Sequence, residues 1–197
     1  MFTEGILIGL IVGKLRGGRF GHLSHMNITM WPLLVIALMM QIIFVFSSKI
    51  SFLVDYAQYV YMGSMILLLI GVLINLNKKG FWLLGTGIML NLAVFILNGY
   101  RIPISLEGLK LTEMTAILDA IKSGQMAYYM PLEEVAEWFK FLGKFIVIPK
   151  PYPLPKVISI GDIFITLGVI VLIQGEMLSG RGFSRSRMIK FGYRGRI

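Results

Sequence analysis

Four stretches of this chain, residues 30–46, 52–76, 81–98 and 157–178, each run for 17 residues or more with almost no charge. A helix of about 17 to 25 mainly apolar residues crosses the ~30 Å of hydrocarbon in a bilayer, so each stretch is long enough to span one. A spanning segment must satisfy its own backbone hydrogen bonds, and for runs this long and this apolar that means an α-helix. A fifth stretch, residues 2–15, is shorter. Its uncharged part is extended by Lys14 and Arg16, whose stems can lie along apolar surface while their charges reach the interface. The pattern predicts an all-α polytopic transmembrane bundle of about five spans, forming one membrane domain over residues 1–197. Composition agrees: 56% of residues are hydrophobic and 15% charged, against about 45–50% and about 25% in soluble domains.

The start, MFTEGILIGLIVG, carries an acid at Glu4 in place of the basic region of a secretory signal, which predicts a retained helix. Cysteine is absent, so disulfides and thiol chemistry are excluded. His22 and His25 stand three apart without a neighbouring carboxylate, a poor metal site, and no metal or other cofactor is expected.

The cations are distributed unevenly between the segments. Lys14, Arg16, Arg19, Lys78, Lys79 and six residues of the tail (Arg181, Arg185, Arg187, Lys190, Arg194, Arg196) fall on one face, 11 of the 19, opposed there by Glu176 alone. The other face holds 8 cations and 9 acids, so the whole net charge of +9 lies on one side. Lys and Arg mark the cytoplasmic side, which places the N-terminus outside and the C-terminus inside. The basic tail, residues 179–197, interleaves Arg with Phe and Tyr. On a membrane protein each such cation near an anionic leaflet is worth about 1 kcal/mol, so membrane lipids with anionic headgroups, not nucleic acid, are its expected partners.

Residues 100–156 form a long extracytoplasmic loop. Within LKLTEMTAILDAIKSG, Leu111, Met114, Ile117, Leu118 and Ile121 take amphipathic-helix spacing, with a start near Thr112 and a stop at Ser123-Gly124. A second helix is expected over residues 131–141, with Pro131 in its first turn and Glu133, Glu134 and Glu137 at the positive end of its dipole. These helices either rest in the interface or fold over the bundle as a lid. Four prolines from Pro149 to Pro155 predict an extended polyproline strap leading into the last span.

Ionisable groups in or near a span are candidates for function because they are costly there. Glu176 is expected to pair with Arg181 at the cytoplasmic boundary, and Asp55 to open its helix on the outer side. Asp162 follows Ser159 and Gly161 at the start of the last span, level with Asn98 and Arg101, and an Arg101 to Asp162 pair would lower the cost of both charges. Asn91 and Asn98 lie two turns apart on nearly one face, where they either bond between helices or line a polar pocket. Gly5, Gly9 and Gly13 make a small-residue ridge for close packing, within the bundle or across a dimer.

Three stretches, GLIVGKLRGGRFGHL, NGYRIPIS and FLGKFIVIPKPYPLPKVISIGDIFITLGVIVLIQ, together resemble a family of small bacterial membrane proteins known as a domain of unknown function, found mainly in Gram-positive lineages. The resemblance covers nearly the whole chain. It rests most specifically on Asn98, Gly99, Arg101, Pro103 and Ser105 after the fourth span, and on Ser159, Gly161 and Asp162 at the opening of the last. The family commonly has an acid after Leu-Gly in the outer loop, where this chain has Lys144, which counts against a general acid or metal ligand there. The resemblance implies a multi-pass protein of the bacterial inner membrane with five spans, and it implies no activity.

No catalytic constellation is present: there is no HExxH, phosphate-binding glycine loop or thiol. The chain therefore reads as a non-enzymatic subunit or accessory factor of a membrane complex, or as a binder of lipid or a small amphiphile at its outer face. Asn91, Asn98, Arg101, Ser105, Ser159 and Asp162 are the candidate ligand-binding residues, and no catalytic residue or metal ligand is assigned. A homo-oligomer or partner membrane subunits are the expected protein partners. A transporter or channel component working as an oligomer is the alternative, and an enzyme on lipid-linked substrate, with Arg101 on a phosphate and Asp162 as acid or base, a third.

Overall fold

The computed structural model describes residues 2–47 and 50–179 and is mostly α-helical. Five longer helices run over Phe2–Leu15 (α1), Trp31–Phe46 (α2), Ala57–Ile74 (α4), Phe81–Leu97 (α5) and Ile160–Leu178 (α9), with a single turn, α3, over Ser51–Val54. Two of them, α4 and α9, are long and apolar enough to cross a membrane, and α2 and α5 are shorter apolar helices. Asp55 does not open a helix: it is exposed in the joint between α3 and α4.

The five helices pack in the order α1, α9, α5, α4, α2, so the first helix of the chain lies beside the last. Gly5, Gly9 and Gly13 face Thr166, Ile170 and Ile173, and Met177 in turn, which makes α1 parallel to α9 and turns the glycine ridge inward, not towards a second chain. Helices α9 and α5 run antiparallel and touch backbone to backbone. A Cβ on Gly87 would stand 2.5 Å from the Gly161 carbonyl oxygen, and one on Gly161 would stand 2.2 Å from Asn91 Oδ1, so no side chain fits at either position.

The alternating directions bring the basic segments to one end. There Arg16 Nη1 donates to Gln174 Oε1 at 2.7 Å, and a 3-10 helix over Phe20–His25 is held to the end of α9, with the Arg19 amide donating to the Met177 carbonyl at 3.1 Å. His22 Nδ1 lies 3.0 Å from that same carbonyl oxygen. Lys78 pairs with Glu176 at 3.3 Å; the expected partner, Arg181, lies outside the described residues, as does the rest of the basic tail. Fully buried Asn75 accepts from the Thr29 amide at 2.9 Å and donates to the Thr29 and Gly71 carbonyls, tying the start of α2 to the end of α4.

The opposite end carries a folded cap. Strands Ile102–Ile104 (β1) and Tyr129–Pro131 (β2) pair in parallel, and Ile146–Ile148 (β3) pairs antiparallel with Lys156–Ile158 (β4). Helices Leu106–Leu111 (α6) and Thr115–Lys122 (α7) pack beside them. Three expectations are corrected here. The single amphipathic helix is two: Ser105 caps an earlier start, Thr112 Oγ1 bonds back to the Gly108 and Leu109 carbonyls, and Glu113 at φ 56° breaks the chain before α7. The helix expected over residues 131–141 breaks into a 3-10 turn over Leu132–Glu134 and a single turn over Glu137–Lys140 (α8): Pro131 is taken by pairing with β1, and Val135 and Ala136 between the two turns are extended. The proline run is no strap but the connection of the β3–β4 hairpin.

An aromatic cluster ties cap to helices: Phe44 of α2 and Tyr61 of α4 stand 4.8 Å apart, Tyr61 meets Phe95 of α5 at 4.8 Å, and Phe44 meets Tyr128 of the cap at 4.6 Å. The outer faces of the helices leave apolar side chains exposed, among them Leu7, Ile11, Ile36, Met39, Ile42 and Trp82.

Candidate functional site

Beneath the cap, four side chains from three parts of the chain form one polar junction. Its centre is the start of α9. Ser159 is the N-cap: its hydroxyl accepts from the Asp162 amide at 3.0 Å, while Asp162 Oδ2 accepts from the Ser159 amide at 3.1 Å. This reciprocal capping box satisfies two amides that the first turn leaves open. Asn91 reaches across from α5, donating Nδ2 to Asp162 Oδ1 at 3.0 Å and accepting the Ser159 hydroxyl at 2.8 Å through Oδ1. Only the absence of a side chain at Gly161 lets Asn91 approach this closely.

The fourth member is Lys144, whose Nζ stands 3.3 Å from Asp162 Oδ2. The expected Arg101 to Asp162 pair is therefore corrected. The backbone explains the choice: the Lys144 amide donates to the Pro103 carbonyl at 2.8 Å, and the Ser105 amide donates to the Lys144 carbonyl at 2.9 Å. The IPIS segment thus holds Lys144 in place over α9, while Arg101, just before β1, is exposed and has no hydrogen-bond or ion-pair partner among the described residues. The pair keeps some contact with solvent, the Lys144 side chain being 26% exposed and that of Asp162 17%. Burial pushes the Lys144 ammonium down, but the Asp162 carboxylate, with Tyr129 and Tyr61 beyond it, outweighs burial and holds the group above the ordinary lysine range.

A second ion pair fastens the same hairpin. Lys156, first residue of β4, bonds Glu4 of α1, which also accepts from the Tyr152 hydroxyl at 3.3 Å. Lys144, just before the hairpin, and Lys156 within it thus reach acids in the first turns of bundle helices, while Lys150 in the hairpin connection pairs with Glu113 between α6 and α7.

The structure joins Asn91, Ser159 and Asp162, and leaves the other three candidates apart from them. Asn98 bonds the Val94 carbonyl of its own helix at 2.7 Å. Beside it, Gly99 at φ 64° lets its own amide and that of Tyr100 bond back to Ile96 and Phe95, a left-handed helix end. Ser105 caps α6 through the Gly108 amide at 3.0 Å. Lys144 is the member that sequence reasoning missed. Its signal was a lone cation in an apolar and aromatic stretch, which has to find a carboxylate at its own level.

A half-open cavity of about 260 Å³ lies at the cap end, lined by Val54, Asp55, Gln58, Gly124, Ala127 and Tyr128. Among the described residues no group of three or more His, Cys, Asp or Glu side chains is placed to hold a metal ion.

Residues 25–174 match the Family of unknown function (DUF5317), and the chain belongs to that family. No curated protein and no solved structure matches it.

Proposed function

We propose that this family member is a five-span protein of the bacterial inner membrane, N-terminus outside and C-terminus inside. In this reading the cap is an extracytoplasmic recognition element, and the chain serves without catalysis as a subunit or accessory factor of a membrane complex. The alternating helix directions, the belt of exposed apolar side chains and the gathering of Lys14, Arg16, Arg19, Lys78 and Lys79 at one end support the topology. The observation that carries the function is the polar junction. Asn91, Ser159, Asp162 and Lys144 are spent on one another, which fixes the cap to the helices and leaves no buried group free there for a substrate. What the fixed cap presents is surface, including exposed Phe141 and Leu154.

A photo-crosslinking amino acid at Phe141 or Leu154 should trap a discrete protein partner in intact cells, and one at Ile36 should trap lipid. Adducts with lipid alone from all three positions would remove the subunit reading.

The cavity beside Asp55 and Gln58 favours a second reading, a binder of a small amphiphile at the outer face, with Arg101 exposed to meet an anionic group. In that case Arg101→Ala loses a copurifying amphiphile in native mass spectrometry without lowering thermal stability. Unchanged lipid content in that variant counts against it.

A further inference from the structure

At the basic end, α1 and the 3-10 helix after it enclose an open apolar groove of about 310 Å³, lined by Leu10, Ile11, Lys14, Leu15 and Phe20. Its walls are among the most exposed apolar surfaces of the chain, with Leu15 81% accessible. Lys14 stands over Phe20, its ammonium 5.3 Å from the ring centroid, so a cation closes the groove at its polar end. Arg19, next in the chain to Phe20, is exposed. Neighbouring cations are already engaged: Arg16 bonds Gln174, and Lys78 pairs with Glu176. Among the described residues no acid pairs with Lys14 or Arg19, and their charge is open to an outside partner.

Charge selects the occupant. The tail carries six cations beyond residue 180. A segment that basic is repelled by Lys14 and Arg19 and is no occupant of the groove. A second copy of the chain would bring the same Lys14 and Arg19 and meet the same repulsion. An apolar trough with Lys14 in its lining, and with exposed Arg19 next in the chain to Phe20, matches an acyl chain beneath a phosphate. We propose that this corner binds one anionic phospholipid, its phosphate held by Lys14 and Arg19 and its acyl chain laid along Leu10, Ile11, Leu15 and Phe20.

The site rests on the membrane reading and is independent of the role of the cap. The full-length protein in mild detergent is titrated with phosphatidylglycerol, and separately with phosphatidylcholine of the same chains, and read by native mass spectrometry. One phosphatidylglycerol should bind in preference to phosphatidylcholine. Each cation facing a headgroup is worth about fivefold in binding, so Lys14→Gln with Arg19→Gln should weaken phosphatidylglycerol about 25-fold and leave phosphatidylcholine unchanged. Leu15→Asn should weaken both lipids, and Lys14→Arg should keep the preference. Wild-type phosphatidylglycerol affinity in the double variant overturns the site. So does a preference that survives that variant and vanishes when the six tail cations are changed to Gln. Should Lys14→Gln with Arg19→Gln fail to fold, Lys14→Gln alone should still cost about fivefold, and no loss there overturns the site equally. Release of the chain from membranes by alkaline carbonate would remove the membrane reading and the site with it, whereas a carbonate-resistant chain that does not discriminate lipids removes the site alone.

Discussion

Replacing Lys144 by Met and Asp162 by Asn, singly and together, tests whether the cap is fastened where the geometry places it. At 3.3 Å the two charges attract by about 5 kcal/mol at an effective dielectric of 20. Taking them from water offsets most of this, and the remaining exposure of both side chains screens it further, which leaves about 1–2 kcal/mol net. Lys144→Met is expected to cost that amount. Asp162→Asn is expected to cost more, about 2–3 kcal/mol, because the carboxylate also caps α9 and accepts from Asn91, and its loss strands the ammonium. Once the partner is gone the second substitution costs less, so the double variant should fall short of the sum by about 1–2 kcal/mol. The assay is unfolding in mixed micelles followed by tryptophan fluorescence, with limited proteolysis across residues 123–128 to report release of the cap. Arg101→Ala combined with Asp162→Asn serves as the control and should be additive. Additivity for the Lys144 cycle, or coupling of that size for Arg101, would show that the junction is built on the wrong cation.

Gly161→Ala places a methyl 2.2 Å from Asn91 Oδ1 and 2.8 Å from the Gly87 carbonyl oxygen, so it should cost about 3 kcal/mol in the same unfolding assay. Gly99→Ala meets nothing within 4 Å and bears only the strain of φ 64°, about 1 kcal/mol; equal losses in the two variants would contradict the close helix contact. The contribution of Lys144 has a defined pH window. With its folded value raised, the stability it supplies is complete below the ordinary lysine value of about 10.4 and is lost as pH rises through the folded value. The difference between wild type and Lys144→Met should thus stay constant from about pH 7 to pH 10, and its decline between pH 7 and pH 9 would argue against a paired ammonium.

Features decided by local chemistry were legible in the sequence, and features decided by distant pairing were not. Gly99 ends α5 because glycine takes φ 64° freely, and Ser159 and Asp162, singled out in the sequence as polar ligand candidates, carry the three-residue spacing of a cap before an apolar run, which is the role they take. The ridge of Gly5, Gly9 and Gly13 announced close packing, though not that α9, more than 150 residues away, would fill it. The strands of the cap are three residues each, too short for an alternating pattern, and β1 finds its partner 27 residues on. That pairing takes Pro131, and the helical spacing after it yields only a 3-10 turn and one α-helical turn, parted by extended Val135 and Ala136. Remote backbone bonds likewise chose Lys144 over Arg101: the bonds of Lys144 to Pro103 and Ser105 decide which cation stands over the Asp162 carboxylate.

The way the polar groups are used bears on the remaining functional choices. A conducting path needs polar side chains left facing a hydrated passage. Here Asn75 is bonded to Thr29 and Gly71, Asn91 to Ser159 and Asp162, and Asn98 to Val94, each a helix amide closed on protein. Glu176 and Asp162 are paired with lysines, and Glu4 with Lys156. These contacts sit at the two ends of the helices, where they bind loop to helix, and they brace the chain against sliding of one helix past another. Among the described residues the displayed surfaces include the exposed apolar side chains of the cap and the groove beside Lys14 at the opposite end. Flux that depends on Asn91 within a single copy would require the junction to open first.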